Sequence, residues 1–350
     1  MDLFALTRQL IDIPSVTGDE GAVGQFLAAH LETLGYTVEL QPVAGDRCNV
    51  IANTSAAPRI VFSTHMDTVP PPIRSREDAE NIYGRGSCDA KGIIAAQIFA
   101  AEKLRAEGMS EIGFLFTVDE EMASHGATAA NQHPLAAQCR YLINGEPTDS
   151  KMAAGTKGSL RFTISCAGRA AHSAYPEKGE SAIEKLLDVL ASIRGCQWPS
   201  DQMFGETTCN IGVISGGIRP NVIPAAAEAE LQIRLVTGAA PIKRTVEAAI
   251  GGRAELKYSS EHEPVRLLTL EGFETCIPRF TTDIPYLTNW GTPLLLGPGS
   301  IFDAHTDHEK ISKKELAAAV DLYARLAKML IARDTKEQCR VIVERRTTGV

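Results

Sequence analysis

The chain has 350 residues, 44% of them hydrophobic and 22% charged, which exceeds one ordinary core and suits a globular protein of two domains. Its net charge of −8 comes without a strongly basic block, so a nucleic-acid partner is not expected. No run approaches the roughly 18 uninterrupted apolar residues of a membrane span, and no membrane association is expected. The opening MDLFALTRQLIDIPSV lacks a basic start followed by a long apolar run, so it does not read as a secretory signal. Eight cysteines are scattered without a C-x-x-C pair. That usage reads as reduced thiols of a cytoplasmic protein, not as a disulfide framework.

In chain order, LFALTRQLIDI has helical spacing and stops before Pro14. TGDEGAVGQFLAAHLETLGY predicts a second helix with an acidic first turn, ended by Gly35. The runs YTVELQPV, CNVIANT and RIVFSTH predict strands. AKGIIAAQIFAAEKLRAEG predicts a helix ending at Gly108, and IGFLFTV and RYLINGE predict two more strands. Strands alternating with helices imply an α/β sheet, largely parallel and covered on both faces. Around Gly158 the pattern changes. SLRFTISCAG, TTCNIGVISGG, AAAEAELQIRLV and RAELKYSS predict four strands, with helices near residues 179–194 and 240–250. This β-α-β-β-α-β order describes a ferredoxin-like unit. After about Glu263 the chain rejoins the first domain and ends in the helix KKELAAAVDLYARLAKMLIA. The expected division is residues 1–158 with 264–350, and an insert of residues 159–263. In the tail, CRVIVE reads as a strand or an ordered extension.

Three of the predicted strands deliver ligand-type residues at their carboxyl ends. RIVFSTH ends at His65, followed by Asp67; IGFLFTV leads to Asp119, Glu120 and Glu121; RYLINGE ends at Glu146. In open α/β sheets that edge is where ligands bind. GSCDAKG sets Asp89 just before a helix, and GPGSIFDAHTDHE supplies His305. Each has an ordinary explanation alone: Asp89 as a helix cap, the glutamates as a solvated pair, His305 and His308 as surface histidines. Together, two histidines and three carboxylates suit two zinc-class ions with one carboxylate bridging. Open positions would remain for water and substrate.

The ordered series STHMDTVP, YGRGSCDAKG, TVDEEMASHGA, GEPT, GRAAHSAYP, RPNVIP and GPGS…AHTDHE resembles the zinc-dependent family of aminoacylases, acetylornithine deacetylases, succinyl-diaminopimelate desuccinylases and carboxypeptidase G. The resemblance covers most of the chain. It implies a zinc-exopeptidase-like catalytic domain with a largely parallel central sheet, plus an inserted ferredoxin-like α+β dimerisation or lid domain. It also implies roles. Asp89 would bridge two metals, His65 and Glu146 would complete one site, and Glu121 and His305 the other. Asp67 would orient His65 from behind, and Glu120 would be the general base. Asp119 would support them or be a solvated turn acid. His172, from the partner subunit of a homodimer, would stabilise the oxyanion. The implied cofactors are two Zn2+, with Co2+ or Mn2+ as substitutes.

For substrate contacts the resemblance points to Asn221, Arg234, Tyr175 and Thr281. Glu228, Glu230, Gln232 and Arg234 alternate along one strand, so a solvated face remains an alternative for Arg234. In RFTTD, Arg279 and Phe280 stand where relatives carry small residues, which implies a different side-chain pocket. The first expectation is hydrolysis of an N-acyl amino acid by an acetylornithine-deacetylase-like or acyl-lysine-type deacylase of amino-acid biosynthesis. A dipeptidase or carboxypeptidase of the same family is the alternative. A metal-free binding protein on the same scaffold would be signalled by loss of a ligand or of the base, and none is missing.

Overall fold

The computed structural model describes residues 1–54 and 57–347, with side chains described as far as Asp334. The chain divides into two compact units. One comprises Met1–Ala154, Leu267–Cys276 and the chain from Thr282 onward; the other comprises Gly155–Arg266 and Ile277–Thr281. The cut differs slightly from residues 159 and 263. Gly155 and Thr156 pair with Arg266 and Val265, and the Lys157 N–H donates to Pro278 O. These bonds bring both flanks and the short return segment into the second unit.

The first unit opens with α1 (Leu3–Asp12), capped by the Asp2 carboxylate on the Ala5 N–H, and α2 (Gly21–Thr33). Then come β1 (Thr37–Ala44), β2 (Arg47–Asn53), β3 (Ile60–His65), α3 (Lys91–Ala106), β4 (Ile112–Thr117), α4 (His125–Ala130) and β5 (Tyr141–Asn144). The second unit contributes β6 (Gly158–Ala167), α5 (Ala182–Arg194), β7 (Thr208–Gly216), β8 (Ala226–Leu235), α6 (Ala239–Ile250) and β9 (Glu255–His262). The first unit resumes with β10 (Thr292–Leu295) and ends in α7 (Lys313–Thr347). CRVIVE is therefore helical, the continuation of α7 rather than a strand. Extending an existing helix fixes one residue per hydrogen bond gained, whereas a new strand needs a partner.

The large sheet has the order β1-β2-β4-β3-β5-β10. The β1–β2 and β2–β4 pairs are antiparallel, and the β4–β3, β3–β5 and β5–β10 pairs are parallel. Strands β3, β4 and β5 are buried along their whole length, as continuous apolar runs require when both faces are covered. Phe62, Phe114, Phe116 and Tyr323 interlock in the core with edge and offset geometries. Helix α3 is buried around most of its circumference, which its Ala95, Ala96, Ala100 and Ala101 permit. At Gly92 a Cβ would stand 2.2 Å from Ser87 O, so only glycine lets this helix start so close to the preceding loop.

In the second unit the sheet order is β7-β8-β6-β9, antiparallel throughout. Alternate residues of β8 are buried. Leu160, Phe162, Leu231 and Ile233 form its core with Leu186, Val189, Ile242 and Val246 of the two helices. Among the described residues no helix is long and apolar enough to cross a membrane.

Candidate active site

Parallel register aligns the carboxyl ends of three strands. His65 is opposite Thr117, and Ser63 opposite Asn144. The residues just beyond these ends, Asp67, Asp119–Glu121 and Glu146, therefore emerge on one edge of the first unit's sheet. Asp89 comes from the loop before α3, and His305 from a turn-rich segment between β10 and α7.

Asp89 lies between two imidazoles. Its Oδ1 is 3.0 Å from His65 Nε2 and its Oδ2 is 3.2 Å from His305 Nε2. His305 Nε2 is also 2.9 Å from Glu121 Oε1, and Glu146 Oε2 is 4.0 Å from His65 Nε2. Ligand-type atoms of His65, Asp89 and Glu121 all lie within 4.8 Å of one another. The far nitrogen of His65, Nδ1, is 2.9 Å from Asp67 O and 3.4 Å from Asp67 Oδ1. A carbonyl oxygen only accepts, so the contact requires a proton on Nδ1 and directs Nε2 at Asp89.

The electrostatics are those of crowded, buried acids. Burial pushes the Glu120 carboxyl well above its ordinary range, and the Glu146 charge adds to it. Glu146 and Glu121 are raised by burial in the same way. Burial opposes the Asp89 charge too, but hydrogen bonds from His305 and His65 overcome it and hold Asp89 below the usual carboxylate range. Burial likewise works against a charged His65, yet Asp67 and Asp89 raise it well above its ordinary value. Hydrogen bonds to Asp89 and Glu121 lift His305 to about 10. Four carboxylates face two imidazoles, and the buried Glu146 Oε1 has no hydrogen-bond partner among the described residues. This donor set of imidazole nitrogens and carboxylate oxygens, with surplus negative charge and an orphaned oxygen, fits a pair of divalent cations.

The surrounding shell was only partly visible in the sequence. Asp67 accepts the N–H groups of Glu120 and Glu121, each at 3.1 Å, and the Thr17 hydroxyl at 2.8 Å. Asp119 is not a solvated acid. It is buried, in left-handed backbone at φ 72°; its carboxylate takes Arg47 at 3.2 Å and His125 Nδ1 at 2.6 Å. Glu20, expected in the first turn of α2, precedes that helix instead and accepts the Asp119 N–H at 3.2 Å. Asp283 is buried and accepts the Thr117 hydroxyl at 2.7 Å. Burial raises its carboxyl to about 6, and its charge in turn raises Glu120 and Glu146. Only its place in RFTTD, beside Thr281, marked it in the sequence.

The remaining candidates belong to the second unit. His172 and Tyr175 are exposed neighbours with ring centroids 6.3 Å apart. Asn221, also exposed, accepts the Ser173 N–H through its carbonyl at 3.0 Å. Thr281 lies in the return segment, one residue before the chain re-enters the first unit. Along β8, Glu228 and Glu230 are exposed, but Gln232 and Arg234 are half-buried. Arg234 pairs across the sheet with Ser159 and Thr208, and its Nη1 is buried without a hydrogen-bond partner among the described residues. Burial, and then the Arg161 charge, lower its pKa. A solvated-face reading does not describe this arginine.

Residues 61–329 match the model of peptidase family M20/M25/M40. The chain belongs to this family. It is accordingly a metal-dependent hydrolase, as M20/M25/M40 peptidases are. The M20/M25/M40 chain is 38% identical to a probable carboxypeptidase of Aspergillus terreus, over 91% of its own length and 84% of that protein. Its fold is similar to that of an M20 family metallo-carboxypeptidase from Sulfolobus solfataricus, with a TM-score of 0.76 at 16% identity, covering 93% of this chain and 98% of that one. It is also similar to a dinuclear metal-binding M20 peptidase of Bacillus subtilis, with a TM-score of 0.68 at 17% identity, covering 94% and 97%.

Proposed function

We propose that this M20/M25/M40 hydrolase is a dimetal carboxypeptidase that removes a C-terminal amino acid from a short peptide. The observation that carries the two-cation reading is the position of Asp89, with one carboxylate oxygen toward His65 and the other toward His305. His65, Asp89 and Glu146 would hold one cation, and Asp89, Glu121 and His305 the other. Zinc is the proposed ion, with cobalt or manganese as substitutes. The similarity to a probable carboxypeptidase over most of both chains favours peptide substrates over the acetylornithine-type deacylation that the sequence put first. A free C-terminal carboxylate needs a cationic partner, and half-buried Arg234, whose Nη1 has no hydrogen-bond partner among the described residues, has that chemistry.

When bound, the cation pair polarises the scissile carbonyl and brings the pKa of water toward neutrality. Glu120, whose carboxyl is raised by burial and by Glu146, removes a proton from the attacking water and returns it to the leaving amine nitrogen. The carbonyl carbon gains the water oxygen and becomes tetrahedral, the C–N bond breaks, the shortened peptide is left with a carboxylate, and the protonated amine departs as the freed amino acid. Asp67 keeps the proton on His65 Nδ1 and fixes the backbone of Glu120. His172, contributed by a second copy in a homodimer, is the proposed donor to the oxyanion. A cytoplasmic location is proposed with this reading.

Incubating the zinc-loaded chain with an N-blocked dipeptide, an unblocked dipeptide and N-acetylornithine, with products read by mass spectrometry, tests the proposal. Release of the C-terminal residue from the peptides supports it. Turnover of N-acetylornithine alone would restore the deacylase reading.

A further inference from the structure

Beside the cluster of proposed ligands lies a buried ion pair that the chemistry above does not use. The side chains of Arg85 and Glu309 are 3% and 0% exposed, and Arg85 Nη1 donates to Glu309 Oε2 at 2.8 Å. The other oxygen, Glu309 Oε1, accepts three backbone N–H groups: Gly86 at 2.9 Å, Cys88 at 3.2 Å and Asp89 at 3.2 Å. The turn from Gly86 to Asp89 thus wraps a single anionic oxygen.

The two ends of this contact lie in different segments. Arg85 sits in the loop that presents Asp89. Glu309 lies four residues after His305, in a segment of turns. Arg85 Nη1 also donates to Thr306 O at 3.1 Å, its Nε to Pro71 O at 3.4 Å, and the Gly84 N–H to Glu309 O at 3.1 Å. His305 has left-handed backbone at φ 63°, which a non-glycine residue holds only when its surroundings impose it. The strands Asn81–Tyr83 and Lys310–Ser312 pair antiparallel and bring the two segments side by side, but that ladder ends at Gly84 and Glu309. The turns beyond it, which carry Asp89 and His305 to the 3.2 Å approach of His305 Nε2 to Asp89 Oδ2, are tied to each other by the contacts of Arg85 and Glu309.

We infer that the Arg85–Glu309 pair is a positioning clamp that holds the Asp89 and His305 loops in register and thereby sets the affinity of the second cation. This rests on the proposed reading of Asp89 and His305 as cation ligands. A buried charge pair often adds little net stability; its return here is the placement of a donor that must be right to a fraction of an ångström. A pair that only stabilised the fold would, when altered, lower the melting temperature and leave cation affinity as it was.

The test is a Co2+ titration of the metal-stripped chain, followed by calorimetry and by the visible absorption of bound cobalt. Wild type is expected to take up two ions. Glu309→Gln keeps side-chain size and one acceptor oxygen but loses the charge. Folded by circular dichroism, it should bind the weaker ion about 10- to 100-fold less tightly, show an altered cobalt spectrum, and recover turnover when Co2+ is raised. Folded Glu309→Gln with wild-type affinity for both ions overturns the clamp. Should that variant not fold, Arg85→Lys is read in the same way, and wild-type affinity there overturns it. Fewer than two ions in the wild type refutes the cation reading, and the clamp with it. That failure is distinguishable because no variant is involved.

Discussion

Asp67 accepts the backbone N–H of Glu120 at 3.1 Å through Oδ1. Its other oxygen takes the Glu121 N–H, and Oδ1 also stands 3.4 Å from His65 Nδ1. One buried acid therefore governs the ring on one strand end and the paired glutamates on the next. Asp67→Ala is expected to weaken cation binding about 10- to 100-fold, measured by competition with a chromophoric chelator. A folded variant with unchanged affinity would contradict this role.

Adjacent Glu120 and Glu121 are given different work, and the difference can be measured. Glu120→Ala should retain fold and metal while turnover falls by about 10²- to 10⁴-fold. Glu121→Ala should instead lose a cation, seen by elemental analysis. The opposite pattern would exchange the two roles.

Asp283 makes a prediction about pH. Its folded carboxyl titrates near 6, raised by burial from an ordinary 3.8. Between those values the folded state holds the proton that the unfolded chain has released. Keeping Asp283 ionised thus costs stability above about pH 6, and that cost disappears as pH falls toward 3.8. In metal-stripped protein, Asp283→Asn should raise the melting temperature at pH 8, with the gain shrinking through pH 6 to near zero by pH 4. A gain independent of pH would rule out ionisation as its cause.

The proposed homodimer predicts complementation. His172→Ala and Glu120→Ala chains, each inactive, are mixed under conditions that exchange subunits. If His172 serves the site of the other copy, a heterodimer carries one site with both residues and one with neither, and activity returns to about half of wild type per heterodimer. No recovery despite demonstrated exchange would remove His172 from the shared site.

The legible part of this protein was its strand ends. An apolar run closing on His65, on Asp119–Glu121 or on Glu146 announces both a buried strand and what it presents, because both signals lie in consecutive residues. Asp89 and His305 were found through their motifs, since a loop position has no periodicity of its own. Glu20, Arg47, Arg85 and Glu309 were not found. A charged residue is read as exposed unless its partner is known, and here the partners are distant in sequence: Glu20 meets Asp119, and Arg85 meets Glu309. The four-residue strand β10 escaped notice because its pairing with β5, not its own pattern, makes it a strand. CRVIVE, with its short apolar run, was open to a strand or an ordered extension, and α7 simply runs on through it.

The account turns on Asp89 as the residue common to two cation sites, and metal content per chain tests it most directly. Wild type and Asp89→Ala are stripped, reloaded with zinc, freed of excess ion and analysed for zinc against protein. The account predicts two zinc ions per wild-type chain. It predicts fewer than one in Asp89→Ala, because both sites lose an oxygen and the remaining acids repel without compensation. Two ions retained in folded Asp89→Ala would contradict it.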